Sequence, residues 1–287
     1  MVHATLGDVP ARAALRRGDR LALAALLSPA GAFLAAFFVL PLVLMLRTGA
    51  SGPGGIGTYG AILTDTRYLG SLAQTVALAA TVTAATLVIS GIAGVFLSRH
   101  RFPGRRLLVA MLTLPLAFPG VVVGFMVIML AGRQGVIGQA TMALTGERLV
   151  FAYSMAGLFL GYLYFSIPRT VLTVMAAAET LDPALEEAAR ACGAGRWQVL
   201  RDVLLPGLRP AFLAAGAICF ATAMGAFGTA FTLATNISVL PMVIYAEFTV
   251  AANIAVAAAL SFLLGAITWA VLALARAAAG GTVAAAG

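Results

Sequence analysis

The sequence predicts an all-α integral membrane protein with six transmembrane helices and both termini in the cytoplasm. Three observations carry that prediction. First, 62% of the 287 residues are hydrophobic and only 10% are charged, whereas a soluble domain has roughly 45–50% apolar and about 25% charged residues. Mean hydropathy is +1.02. So few charges cannot cover a water-facing surface, and disorder, which needs low hydrophobicity and high net charge, is excluded as well. Second, uncharged stretches of bilayer-spanning length recur along the chain. Third, the arginines are shared unequally between the loops.

The spans follow from the spacing of charges, because a charge at the bilayer centre costs about 2.5–3.5 kcal/mol on insertion scales. Between Arg20 and Arg47 lie 26 uncharged residues, between Arg67 and Arg99 there are 31, and between Arg106 and Arg133 there are 26. Arg148 and Arg169 enclose 20, Arg209 and Glu247 enclose 37, and Glu247 and Arg276 enclose 28. Roughly 20 apolar residues cross the hydrocarbon core, so each stretch crosses once. The predicted spans are 21–46, 69–98, 107–131, 149–168, 210–235 and 248–275. Leu114-Pro115 and Pro119-Gly120 should kink the third span near its inner third. Asn236 and Pro241 interrupt the far end of the longest stretch. Residues 1–20 read as a cytoplasmic lead and 277–287 as a cytoplasmic tail. The first apolar run exceeds the 7–15 residues of a typical signal-peptide core, so it reads as an uncleaved helix.

Orientation follows from the loops. An inside N-terminus places 14 arginines in the cytoplasm and four, Arg47, Arg67, Arg133 and Arg148, outside. The reverse orientation violates the positive-inside rule at nearly every loop.

All 18 cations are arginine, with no lysine anywhere. A Walker A loop needs a lysine to reach the nucleotide phosphates, so this chain cannot bind ATP that way, and Schiff-base chemistry is excluded too. His3 and His100 are too far apart for a zinc-binding HExxH helix. Cys192 and Cys219 lack metal-ligand spacing. No metal site, cofactor or nucleic-acid partner is expected, since the arginines border apolar runs as topology signals.

The one long cytoplasmic loop, residues 169–209, carries half of the acidic residues. Asp182-Pro183 reads as an N-cap with proline at the first helical position. Glu186 and Glu187 follow where the helix dipole favours negative charge. Leu185, Ala188, Ala189 and Cys192 form a narrow apolar stripe at helical spacing, and Gly193 ends the helix. A second helix is predicted from Arg196 to Leu204, closed by Pro206.

Within this loop, Glu187-Ala188-Ala189, three residues, Gly193, nine residues and Val203-Leu204-Leu205-Pro206 resemble the EAA motif of ABC importer permeases of the type I fold. Only Val203 departs from the family pattern, conservatively. The resemblance covers about residues 70–275 and is nearest to the polyamine, phosphonate and oxyanion branch. It implies half of a translocation pore in a bacterial inner membrane. In that family the first helix of the motif docks on an ATPase, so Glu187, Ala188, Ala189, Gly193, Leu205 and Pro206 are the expected coupling residues. Implied partners are two ATPase subunits, which use ATP and Mg, a second permease that is a paralogue, and a solute-binding protein. The same resemblance reads Ile237 to Tyr245 as an outer re-entrant segment. Ala226 stands where sulfate and molybdate permeases often carry an acid, which leans toward polyamine or phosphonate.

Polar residues within spans mark candidate pathway positions. Thr229, Thr232 and Asn236 recur at helical spacing behind Gly225 and Gly228, and Gln74 lies in the second span. The glycines read as sites of close packing rather than hinges. The alternative to a permease subunit is a self-sufficient six-helix channel or an ion-coupled carrier. A carrier needs ionisable groups within its spans, and the predicted spans contain none. An intramembrane enzyme lacks a paired nucleophile and base.

Overall fold

The computed structural model describes residues 17–52, 54–233 and 237–279. Its described residues contain helices and turns and no strand, and six helices are long and apolar enough to cross a membrane. Two units are distinguished, residues 1–47 and 48–287.

In the first unit, α1 (Arg17–Leu34) passes through a π-turn at Ala35–Val39 into α2 (Leu40–Gly49). In the apolar stretch 25–41 every residue is exposed. Phe33 and Phe37 stack on its surface with centroids 4.8 Å apart. An apolar helix exposed all round is what a bilayer, rather than water, solvates. The π-turn has a local cause. Pro41 has no N–H, and its ring crowds the carbonyl four residues back. Widening the preceding turn, so that the Leu40 N–H donates to Ala35 O, lets the helix pass the proline.

The second unit runs through a short α3 (Gly57–Ile62) into α4 (Thr66–Arg99), the longest helix, capped by Asp65, whose carboxylate accepts the Arg67 N–H at 2.8 Å. Next come α5 (Arg105–Thr113), a 3-10 turn at Leu114–Ala117, α6 (Gly120–Ala131) and α7 (Val136–Thr145). The third span is therefore broken, not merely kinked. Phe118 and Pro119 adopt extended backbone between the two halves, because two prolines four residues apart remove donors from successive turns.

Helix α8 (Met155–Thr180) does not end at residue 168 as the charge spacing suggests. It carries Pro168 in its interior and continues for three more turns, because Val171, Val174 and Ala178 are buried. Val174 packs where α4 has Gly94; a Cβ on that glycine would lie 2.9 Å from Val174 Cγ1. Packing against α4 thus outweighs the local preferences for a stop.

After α9 (Pro183–Ala191) and α10 (Arg196–Val199), a second π-turn at Leu200–Leu204 leads into α11 (Leu205–Met224). Pro206 therefore does not close a helix, contrary to the sequence expectation. It occupies the first turn of α11 after a π-turn in which the Leu205 N–H donates to Leu200 O, the same accommodation seen before Pro41. The backbone is continuously helical from Arg196 to Met224.

The chain breaks at Gly225-Ala226, then forms α12 (Phe227–Leu233), α13 (Leu240–Thr249) and α14 (Ile254–Ala279). The main core gathers Leu78, Ala79 and Val82 of α4, Val127 of α6, Leu158 and Tyr162 of α8, and Phe220 and Met224 of α11. The buried Tyr162 hydroxyl donates to Ala226 O and so holds the break between α11 and α12. A smaller core joins Ile62 of α3 to Leu240 and Val243 of α13 and Leu260 of α14.

Candidate functional site

The acidic loop builds as its local signals dictate. Asp182 caps α9 by accepting the Ala184 N–H at 2.9 Å, with Pro183 in the first turn. Gly193 has φ +86°, and the Ala194 and Gly193 N–H groups donate to Ala189 O and Arg190 O. This is the Schellman stop that glycine adopts without a Cβ penalty. Gly195 restarts the helix, its N–H donating to Gln198 Oε1 at 2.7 Å.

The two adjacent glutamates face opposite ways. Glu187 is exposed and makes no ion pair among the described residues, and Leu185, Ala188 and Cys192 are exposed beside it. Trp197 of α10 is 69% exposed. The apolar stripe therefore faces away from the body of the protein. Ala189 is half-buried, while Leu205 and Pro206 are exposed at the start of α11.

Glu186, by contrast, is 7% exposed. Its carboxylate lies 2.8 Å from Arg99 Nε, at the end of α4, and 3.2 Å from Arg190. The Arg99 contact is Coulombic, since neither Arg99 Nε nor Glu186 Oε1 has an aligned hydrogen bond. Arg99 also donates to Leu181 O at 3.3 Å, where α8 ends. Beside it, Arg105 donates to Leu97 O at 2.7 Å and pairs with Glu179 at 2.9 Å. Arg99 thus ties α9 to the ends of α4 and α8, and Arg105 joins those two ends to each other. The motif pattern did not single out Glu186; its signal was the i,i+4 spacing to Arg190.

The candidate pathway residues separate. Thr229 is buried, donates to Gly120 O at 2.9 Å and borders a cavity of about 350 Å³. Thr232 donates to Gly228 O at 2.9 Å and packs on Gly124, where a Cβ would stand 2.6 Å from Thr232 Cβ. Gln74 is exposed on α4 and borders none of the cavities described. Asn236 lies outside the described residues. Of the two glycines, Gly228 is a close-packing site, since a Cβ there would lie 3.0 Å from Val121 N. Gly225 sits in open space at the break itself, its nearest neighbour 3.8 Å away.

Six apolar helices, broken third and fifth spans and an acidic helix-turn-helix loop are the geometry on which comparison with known proteins bears. The model of the family described as "Binding-protein-dependent transport system inner membrane component" matches residues 87–280. The chain belongs to that family. The permease is therefore a transport subunit of an ABC importer, a multi-pass protein of the bacterial inner membrane that works with a solute-binding protein and an ATPase.

Among relatives, the molybdenum transport system permease protein ModB of Escherichia coli K12 is 37% identical over 180 residues, covering 61% of the permease and 76% of ModB. The sulfate transport system permease protein CysT of Salmonella typhimurium LT2 is 39% identical over 142 residues, half of each chain. A putative 2-aminoethylphosphonate transport system permease protein, PhnU of Salmonella typhi, is 29% identical over 235 residues, covering 77% of the permease and 81% of PhnU. The fold is that of a bacterial alginate ABC transporter solved in complex with its alginate pentasaccharide-bound periplasmic protein: TM-score 0.74 at 16% identity, covering 89% of the permease and 92% of that chain.

Proposed function

We propose that the permease forms half of a translocation pore for a small oxyanion, with α9 as the element that docks on the ATPase. The observation that carries this reading is the division of labour on α9. Glu186 anchors the helix to α4, while Glu187, Leu185 and Ala188 are left unpartnered on the outer face. A membrane protein that exposes an apolar stripe with one charge, on a loop tied to two membrane helices, has a surface suited to a protein partner. ATP and Mg are used on that partner, since this chain has no lysine for a phosphate-binding loop. In this reading two ATPase copies sit beneath two permease subunits, the second a paralogue. The loop 169–209 and both termini are cytoplasmic, in keeping with the arginine distribution.

The oxyanion assignment draws on the relatives. The molybdenum and sulfate permeases share higher identity with this chain than the phosphonate one, which favours oxyanions over the polyamine or phosphonate leaning suggested by Ala226. The test is co-purification of the tagged permease with its ATPase from membranes, followed by an ATPase assay. Glu187→Arg should lose the ATPase while the permease stays folded. An ATPase retained in full by that variant would sink the docking assignment.

A further inference from the structure

Arg169, which the charge pattern places at the end of a span, lies in the structure inside a helix. It lies eleven residues before the end of α8, about 16 Å along the helix, within a stretch that qualifies as a span. Its carbonyl accepts the Thr173 hydroxyl at 2.9 Å, but its guanidinium takes part in none of the ion pairs or hydrogen bonds found among the described residues. A cation held in such a helix without a carboxylate is costly unless it faces a polar cavity. Arg169 borders two cavities, one between α8 and α11 and the larger one where the breaks of the third and fifth spans meet. Phe165 and Thr222 belong to both walls, and no acidic residue borders either.

One further feature of the walls favours an anion. Gly120 and Val121, the first residues of α6, border the larger cavity, and the N-terminal end of a helix carries partial positive charge. The hydroxyls of Thr222 and Thr229 already donate to Ile218 O and Gly120 O. The larger cavity is thus left with the Arg169 guanidinium as its charged donor.

We infer that Arg169 forms an anion-contact site on the translocation path, at the larger cavity, taking a tetrahedral oxyanion such as sulfate or molybdate. The inference rests on the oxyanion reading above and deepens it. During passage the guanidinium offers paired N–H donors to two oxygens of the anion. Phe165 and the backbone of Gly225 and Gly228 shape the surrounding wall.

The test uses the complete transporter, with ATPases and binding protein, reconstituted in proteoliposomes. Uptake of radiolabelled sulfate and molybdate is compared for wild type, Arg169→Lys and Arg169→Gln. The binding protein sets the apparent affinity, so the loss should appear in the maximal rate and not in KM. Arg169→Gln should lower that rate at least about tenfold, with Arg169→Lys intermediate. Equal rates in all three, or a lysine variant no better than glutamine, would overturn the site while leaving the oxyanion reading intact. A wild type that carries neither anion would overturn both.

Should Arg169→Gln fail to assemble, Thr222→Cys in a chain that also carries Cys192→Ser and Cys219→Ala gives a second measurement. Its thiol should react faster with an anionic than with a cationic methanethiosulfonate reagent. The opposite order overturns the proposal.

Discussion

Glu186 and Glu187 are neighbours of the same residue type with opposite environments, and that contrast makes them separable by experiment. Glu186→Gln leaves Arg99 and its α4 terminus without a counter-charge in a site that is mostly buried. Breaking one partner of such a pair costs about 3 kcal/mol, so the thermal midpoint in detergent should fall. Glu187→Gln touches nothing within the chain and should leave that midpoint unchanged while weakening capture of the ATPase. Gly193 and Gly195 offer a second contrast. At Gly193 a Cβ would meet nothing within 4 Å, yet φ is +86°, so Gly193→Ala costs about 1 kcal/mol of backbone strain alone. Gly195 has φ −70°, and Gly195→Ala should be near neutral in the same melt. Gly193 was legible as a helix stop from its place after an apolar stripe. Glu186 was not legible as an anchor, because its partner Arg99 is 87 residues away in the chain.

Leucine-proline pairs show how an element can depart from its local signal. Leu40-Pro41 and Leu205-Pro206 each follow a π-turn that carries the helix through, whereas Leu114-Pro115 leads into a 3-10 turn and then a break. The same dipeptide thus has three outcomes, since Leu240-Pro241 opens α13 after extended backbone. At Leu114, a second proline at 119 leaves too few residues for the ladder to recover; at Leu205, the turns that follow bury Leu208 and pack α11 onto α4 and α8. The crossing of α6 and α12 depends on glycine. Gly124→Val should destabilise by about 1–3 kcal/mol through overpacking, because even its Cβ would sit 2.6 Å from Thr232. The three nearest atoms all belong to the Thr232 side chain, so adding Thr232→Gly should recover part of the loss. A double-mutant cycle on thermal midpoints reads that coupling, and strict additivity would argue against the crossing.

Across the second unit, α13 is pinned to α4 at both ends. The Leu240 N–H donates to Thr75 Oγ1 at 2.8 Å, while Glu247, 5% exposed, pairs with Arg67 at 3.1 Å and accepts the Tyr68 hydroxyl at 3.1 Å. This segment therefore cannot move without α4. Arg67 is largely exposed, which weakens its share of the contact, so the main loss from Glu247→Ala falls on the buried Tyr68 bond and the packing around it. A lower thermal midpoint and faster proteolysis between α12 and α13 are expected, and unchanged proteolysis would show that packing alone holds the segment. The anion-contact site belongs to this scale too, since its walls come from α6, α8, α11 and α12.

Composition and charge spacing alone determined that the chain spans a bilayer six times, which loop is acidic and structured, and which glycine ends its first helix. Each of these is set by local chemistry: the cost of a charge in hydrocarbon, the capping preference of aspartate, the conformational freedom of glycine. Only the tertiary structure decided that α8 runs past Pro168, that Pro206 lies inside a continuous helix, and that Arg169 faces a cavity. Those outcomes depend on contacts between residues distant in sequence, where packing against α4 and α11 outweighs the local preference of a proline or an arginine to end a span.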